Sequence, residues 1–149
     1  MLLRPVEDHD VRFLRDMLRH AYHWRLSEDS ERPVYRYVQN WGRPGDAGVI
    51  ALEGPHAYGA AWYRLFTADE PGFGFVDEQT PELTIAIVPS RRGKGAGKEL
   101  LEALLARARE DGYAAISLST DPAQRAYYER FGFETVGETP HAVTMRKAL

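Results

Sequence analysis

The chain has 149 residues, of which 44% are hydrophobic and 28% charged, and it carries a formal net charge of −3. This size and balance are typical of one globular domain spanning residues 1–149, with no apolar run near the roughly 20 residues that span a bilayer and no general affinity for nucleic acid. The chain has no cysteine, which excludes disulfides and thiolate chemistry, and its N-terminus runs directly into charged sequence, so we expect a cytoplasmic protein without a signal peptide.

The first part of the chain predicts one strand and two helices. Residues 2–6 predict a short strand. A first helix, capped by Asp8 or Asp10, is indicated by apolar residues at helical spacing. These residues are Val11, Leu14, Met17, Leu18 and Ala21. After a polar break at residues 27–32, Pro33 suits the first turn of a short second helix.

Two strands and a long connection follow. Residues 48–53 and 57–66 predict strands joined by a hairpin at residues 54–56. Residues 67–81, here called the acidic connection, are rich in glycine and proline, and long connections are often binding loops. Its carboxylates and aromatic rings suit a cationic amine; the alternative is a solvated loop whose phenylalanines pack inward. The residues concerned are Asp69, Glu70, Asp77 and Glu78, with Phe73 and Phe75 between them.

The second half predicts alternating strands and helices. A strand at residues 83–88 leads into a glycine turn, and a helix then runs to Asp111 and Gly112. Its expected buried residues are Leu100, Leu101, Leu104, Leu105 and Ala108. The remaining segments predict, in order, a strand, a helix and two strands, at residues 113–119, 122–130, 133–136 and 141–146. The element order β-α-α-β-β-β-α-β-α-β-β predicts an α/β fold.

The glycine turn has the features of an anion site. Glycines let backbone N–H groups approach a ligand closely, and a helix start presents unpaired N–H groups with a partial positive charge. Arg91, Arg92, Lys94 and Lys98 add four cations, so a phosphate is the favoured ligand. A P-loop is excluded because Arg92 and Glu99 stand where it needs a glycine and a hydroxyl. A dinucleotide-binding turn is excluded because Lys98 occupies its third glycine.

Two motifs resemble those of the GNAT superfamily of N-acetyltransferases. The pattern Arg92-Gly93-Lys94-Gly95-Ala96-Gly97, after a strand ending Ile87-Val88-Pro89, resembles the family signature Q/R-x-x-G-x-G/A. Residues 121–133 look like the family's N-x-x-A-x-x-x-Y-x-x-x-G-F. The element order is also the family's. The resemblance implies a central mixed, mostly antiparallel sheet flanked by about four helices, acetyl-CoA as co-substrate, and a small-molecule or peptide amine as acceptor.

The resemblance also implies roles for individual residues. The pyrophosphate of acetyl-CoA would lie on N–H groups of the turn, which comprises Arg91, Arg92, Gly93, Lys94, Gly95, Ala96, Gly97 and Lys98. The main chain of Ile87 and Val88 would pair with the pantetheine arm, and Asp121 replaces an asparagine that contacts this arm.

Two further residues would carry the proton transfers. Glu82 corresponds to a general base acting through water, although an ordinary strand-end carboxylate is the alternative. Tyr128 corresponds to the general acid, with Tyr127 as its competitor.

Other functions stay open at this stage. A non-catalytic acyl-CoA sensor or partner-binding domain of the same fold would keep the turn but lack an acid or base. A pure protein-interaction domain would leave the cationic turn unexplained. His20 and His23 lie three residues apart on a predicted helix, but no third ligand is evident, so we expect no metal site. A homodimer is compatible with the sequence, which does not otherwise indicate an oligomeric state.

Overall fold

The computed structural model of the protein describes residues 2–25 and 34–149, which form seven strands and three α-helices. The strands are β1 (Leu2–Pro5), β2 (Ala47–Glu53), β3 (His56–Arg64), β4 (Glu82–Ile87), β5 (Ala115–Thr120), β6 (Glu134–Glu138) and β7 (Val143–Ala148). The α-helices are α1 (Val11–Tyr22), α2 (Ala96–Glu110) and α3 (Arg125–Glu129). No helix in these two ranges is long and apolar enough to cross a membrane.

The predicted elements are confirmed where they are described, with shifted ends. A 3₁₀ turn precedes α1. The Asp10 carboxylate does not cap α1; it accepts hydrogen bonds from Nη1 and Nη2 of Arg4 and from the Glu7 N–H. The helix predicted at residues 122–130 is a 3₁₀ turn followed by α3. The predicted polar break at residues 27–32 and Pro33 lie outside the described residues, which resume with a 3₁₀ helix at Val34–Tyr37.

All seven strands form one sheet in the order β1-β2-β3-β4-β5-β7-β6. Every neighbouring pair is antiparallel except β4 and β5, which are parallel. The register of β4 with β5 is a single pair, Glu82 opposite Ser117. Further along, Ile85 and Ser119 line a cavity instead of pairing. The predicted mixed, mostly antiparallel sheet is confirmed, and the site lies where its two parallel strands separate.

Helices cover both faces of the sheet because the side chains of each strand alternate between the two faces. On β3, Ala60 and Trp62 pack with the buried residues of α1, whereas Ala61 and Tyr63 pack with those of α2. The buried face of α2 contains the residues that the periodicity predicts: Leu100, Leu101, Leu104, Leu105 and Ala108. Three α-helices flank the sheet in the described ranges, fewer than the four or so expected.

The acidic connection is fastened to the sheet. Ser117 Oγ donates a hydrogen bond to the Gly74 carbonyl oxygen at 2.8 Å, and a Cβ at Gly74 would lie 2.6 Å from the Leu118 carbonyl carbon. Phe73 is buried and Phe75 half-buried, so the phenylalanines pack inward. All four carboxylates are exposed. The aromatic part of this connection therefore packs inward, and its carboxylates face solvent.

Candidate active site

A cleft of about 630 Å³ lies between the C-terminal end of α1, the end of β4, the glycine turn and α3. From the α1 side it is lined by His20, Ala21, His23 and Trp24; from β4 by Ile85, Ala86 and Ile87; from the turn and α2 by Arg91, Arg92, Gly93, Gly95, Ala96, Gly97 and Lys98; and from the α3 region by Asp121, Gln124, Tyr127 and Tyr128. Most of the residues expected to bind the cofactor therefore share one surface, together with Tyr128.

The glycine turn has a backbone that favours glycine. Gly93 and Gly95 have φ angles of +80° and +85°, in the left-handed region that side chains disfavour. Gly95 is also the N-cap residue of α2. The N–H groups of the first helical turn, Ala96 to Lys98, consequently have no partner within the helix and carry its partial positive charge. A Cβ at Gly93 or Gly95 would meet no atom within 4 Å, so this side of the turn is accessible to an anion.

The cations of the turn differ in their partners. Arg91 forms an ion pair with Glu53, and its guanidinium lies 5.0 Å from the centroid of the Tyr58 ring. Lys98 lies 3.9 Å from a carboxylate oxygen of Glu102. Arg92 has only a neutral partner among the described residues: its Nε–H donates to the Ile87 carbonyl oxygen at 3.0 Å. An anion could therefore bind Arg92 without breaking an ion pair to a described carboxylate, whereas Arg91 would have to leave Glu53.

The edge of β4 that faces the cleft is defined by its pairing with β3. Val88 N–H donates to the Tyr58 carbonyl oxygen, and the Val88 carbonyl oxygen accepts from Arg91 N–H. Bonded and non-bonded positions alternate in an antiparallel ladder, so the main-chain groups of Ile85 and Ile87 point away from β3. Val88, which was also expected to offer its main chain to a cofactor, has its N–H and its carbonyl oxygen each bonded within the protein. Ile85 and Ile87 are the residues that can extend the sheet.

Tyr128 stands where the main cleft meets a second, smaller cavity. This cavity of about 30 Å³ is also lined by Ala21, Tyr22, Leu83, Thr84, Ile85, Leu118 and Ser119. The Tyr128 ring packs edge-on against Tyr127 and Phe133, with centroids 5.1 Å and 5.9 Å away. Burial raises the pKa of Tyr128 well above its usual value, so the hydroxyl stays protonated at neutral pH.

Tyr127 points toward a different part of the cleft. Its hydroxyl lies 3.4 Å from the position of a Cβ at Gly97, on the first turn of α2. Its ring contacts Phe131 as well as Tyr128. Tyr127 therefore belongs to the anion end of the cleft, whereas Tyr128 lies at the junction with the small cavity.

Glu82 is buried beneath the site and lines neither of these two cavities. Its Oε2 accepts a hydrogen bond from the Tyr37 hydroxyl, which itself accepts the Phe73 N–H at 2.7 Å. Burial, followed by the nearby Glu82 charge, raises the pKa of Tyr37. The next residues on β4, Leu83 and Thr84, do line the small cavity. Glu82 is thus adjacent in sequence to two residues that line that cavity.

Asp121 lines the main cleft but already has a local role. Its Oδ1 accepts the Ala123 N–H at 3.0 Å and caps the 3₁₀ turn before α3. The carboxylate that replaces the family's asparagine therefore shapes the wall of the cleft.

The end of α1 and the 3₁₀ turn that follows it, His23–Arg25, form one wall of the cleft. The family resemblance implies that the first helical region, which includes Trp24, forms a wall of the acceptor cleft, and Trp24 does line the cleft. His20 lines it as well, although the sequence indicated this residue only as a metal-ligand candidate. His23 Nδ1 lies 3.3 Å from the His20 carbonyl oxygen, so the ring bonds locally. In the described part of the chain, no group of three or more His, Cys, Asp or Glu side chains could hold a metal ion.

Comparisons with known structures find the same fold in several solved proteins. It is similar to ribosomal-protein-alanine N-acetyltransferase from Brucella melitensis, with a TM-score of 0.71, 22% identity and 100% coverage of both chains. PaiA N-acetyltransferase from Thermoplasma acidophilum, in complex with coenzyme A, has a TM-score of 0.67, 14% identity and 100% coverage of both chains. A GNAT family acetyltransferase from Brucella melitensis, in complex with acetyl-CoA, has a TM-score of 0.68 and 19% identity, covering 99% of this chain and 87% of that chain. These identities are low, so the likeness shows the fold alone.

The family is shown by the sequence itself. A search of curated proteins finds no match. The family model of the acetyltransferase (GNAT) family, however, matches residues 11–133, from α1 to the end of the second motif. Because this match covers well over half of the chain, the protein belongs to the GNAT family of acetyltransferases.

Proposed function

We propose that the protein transfers the acetyl group of acetyl-CoA to a primary amine by direct attack in a ternary complex. The observation that carries this proposal is the shared lining of one cleft by a left-handed glycine turn, a strand edge and a protonated tyrosine. An anion site alone would suit many phosphate ligands. The strand edge adds partners for an amide-bearing arm, and Tyr128 adds a proton donor at the far end.

The donor is bound along three successive surfaces. Its pyrophosphate lies on the N–H groups of Ala96 to Lys98, with Arg92 and Lys94 balancing its charge. The pantetheine arm pairs with the main-chain groups of Ile85 and Ile87 like an added strand. This direction leads from the start of α2 along β4 toward Tyr128, which lines the cleft with both. The thioester end thereby comes to the junction with the small cavity.

Glu82 and Tyr128 carry the proton transfers. An alkyl amine has a free pKa of about 10.4 and must lose a proton before it attacks. Because Glu82 does not line the small cavity, the proton passes from water in that cavity to Glu82 through two hydroxyl groups. These belong to Tyr22, which lines the cavity 3.1 Å from Thr84 Oγ1, and to Tyr37, whose ring packs on Tyr22 and whose hydroxyl is hydrogen-bonded to Glu82. A main-chain N–H of β4 stabilises the charge that develops on the acetyl oxygen. Tyr128 then donates its proton to the leaving sulfur. Since acetyl-CoA supplies an activated acyl group and the chain has no cysteine, no acetyl-cysteine step is needed.

The acceptor is an amine that carries a positive charge in solution. The exposed carboxylates of the acidic connection favour approach of a cation, although this connection lines neither of the two cavities described above. Its role is therefore to attract the acceptor at a distance. Small polyamines and peptide amines are the acceptor classes that fit this charge.

Two measurements test this function against the sensor alternative. Isothermal titration with acetyl-CoA should show one site, and thiol release should depend on an added amine from a panel of small and peptide amines. Binding without turnover on any amine would favour the non-catalytic sensor. Absence of binding would contradict both functions and favour a protein-interaction domain.

A further inference from the structure

Arg92 occupies the strand edge on which the proposed function depends. The main-chain groups of Ile87 point away from β3 and into the cleft, and the Ile87 carbonyl oxygen already accepts the Arg92 Nε–H at 3.0 Å. This oxygen is a hydrogen-bond acceptor that an amide-bearing arm would use. The guanidinium and an arm that pairs with this edge would therefore approach the same carbonyl oxygen.

The bond between Arg92 and Ile87 is also the kind that an anion can replace. A guanidinium can bind a phosphate through two parallel hydrogen bonds and with opposite charge, whereas it makes one hydrogen bond to the neutral Ile87 carbonyl oxygen. Within residues 2–25 and 34–149, Arg92 forms no ion pair, whereas Arg91 pairs with Glu53. Arg92 also lies three residues before Gly95, at the start of α2 where the anion would bind. An anion on the turn would thus attract Arg92 in preference to Arg91.

We infer that Arg92 selects donors that carry a pyrophosphate, by releasing the Ile87 carbonyl only when an anion binds the glycine turn. This inference rests on the proposed function. Without an anion, Arg92 blocks the edge and weakens the binding of the arm. With an anion, the guanidinium turns to the phosphate and the edge becomes available. Thioesters of CoA are then favoured over thioesters that have the same arm but no nucleotide.

Thermodynamic linkage makes this selection measurable. If the anion and the arm bind cooperatively, each raises the affinity for the other by the same factor. The anionic part and the arm of the donor can be supplied as two halves, adenosine 3′,5′-bisphosphate, which carries one of the two phosphates of the pyrophosphate, and acetyl-pantetheine, which carries neither. We expect saturating adenosine 3′,5′-bisphosphate to lower the Kd of acetyl-pantetheine about fivefold, the factor carried by one hydrogen bond of ordinary strength.

The test compares Arg92→Ala with Arg91→Ala and the wild type by isothermal titration. In Arg92→Ala, acetyl-pantetheine alone should bind about fivefold more tightly than to the wild type, while acetyl-CoA binds more weakly because a cation is lost. Coupling between the two halves should disappear. Arg91→Ala removes an equal charge but leaves the Ile87 bond intact, so it should keep the coupling.

Opposite shifts for the two donors are the diagnostic result. If Arg92→Ala weakens acetyl-CoA and leaves acetyl-pantetheine unchanged, Arg92 is only a counter-ion and the inference is overturned. Unaltered coupling in Arg92→Ala overturns it equally. If the wild type binds acetyl-CoA without any coupling between the halves, this inference fails while the proposed function stands. If the wild type binds neither donor, both fail.

Discussion

Replacing Tyr128 by phenylalanine should slow acetyl transfer strongly while leaving the fold and cofactor binding intact. The change removes the hydroxyl and keeps the ring, which packs edge-on against Tyr127 at 5.1 Å and Phe133 at 5.9 Å. No hydrogen bond to this hydroxyl is recorded in the described ranges, so the free energy of unfolding should change by less than about 1 kcal/mol. The perturbation is therefore confined to one proton donor.

The size of the kinetic effect follows from that role. A positioned general acid contributes about 10²–10⁴-fold to a rate, or roughly 2.7–5.4 kcal/mol of the barrier. We expect kcat to fall by that factor and the Kd of acetyl-CoA to stay within about twofold of the wild type. Burial raises the Tyr128 pKa, so the protonated form persists above the usual tyrosine range. The wild-type kcat should therefore show no loss from this group as the pH rises to about 10.

Thiol release at saturating amine, followed from pH 6 to pH 10, measures both expectations. Tyr127→Phe is the matched control, because it removes the same hydroxyl from the adjacent residue. It should affect cofactor affinity more than kcat, since that hydroxyl lies beside the first turn of α2. If Tyr128→Phe turns over like the wild type and Tyr127→Phe does not, the assignment is refuted and Tyr127 is the acid.

Three further changes test other parts of the site. Glu82→Gln preserves an acceptor for the Tyr37 hydroxyl but removes the base, so kcat should fall about 10²–10⁴-fold; wild-type turnover would make Glu82 a structural residue. Gly95→Glu should raise the Kd of acetyl-CoA about tenfold or more, and Gly95→Asn, which tolerates the left-handed backbone, should not; an unchanged Kd in folded Gly95→Glu would exclude this anion site. Replacing all four carboxylates of the acidic connection by amides should raise KM for a cationic amine up to about tenfold and make KM depend less on salt. If KM is unchanged at both low and high salt, the acidic connection does not attract the acceptor.

Several features of the site could be read from short stretches of sequence. The glycine turn and its helix were predicted because glycine, cations and a helical apolar pattern lie next to one another in the chain. Gly93 and Gly95 do adopt the left-handed backbone that such a turn needs. The offset of Tyr128 from the Gly132-Phe133 pair in the family motif indicated it as the functional tyrosine, and both Tyr128 and Tyr127 line the cleft.

Other features depended on partners far away in sequence. The main-chain groups of Val88 are bonded within the protein and those of Ile87 point away from β3. This follows from the pairing of Val88 with Tyr58 and of Ile87 with Gly59, about 30 positions earlier in the chain. The Glu82 carboxylate is buried because Tyr37 and the acidic connection close over it, which its own neighbours do not indicate.

The turn, the helix that follows it and the order of the elements could be predicted from the chain alone, because backbone preferences and apolar periodicity act among adjacent residues. The family could be identified from two short motifs. The main-chain groups of β4 that remain for a ligand, and the bond of Arg92 to one of them, could be found only from the folded chain. The same holds for the place of His20 in the wall of the cleft. Such hydrogen bonds and shared surfaces join groups that are far apart in sequence, and strand register and helix packing determine which groups meet.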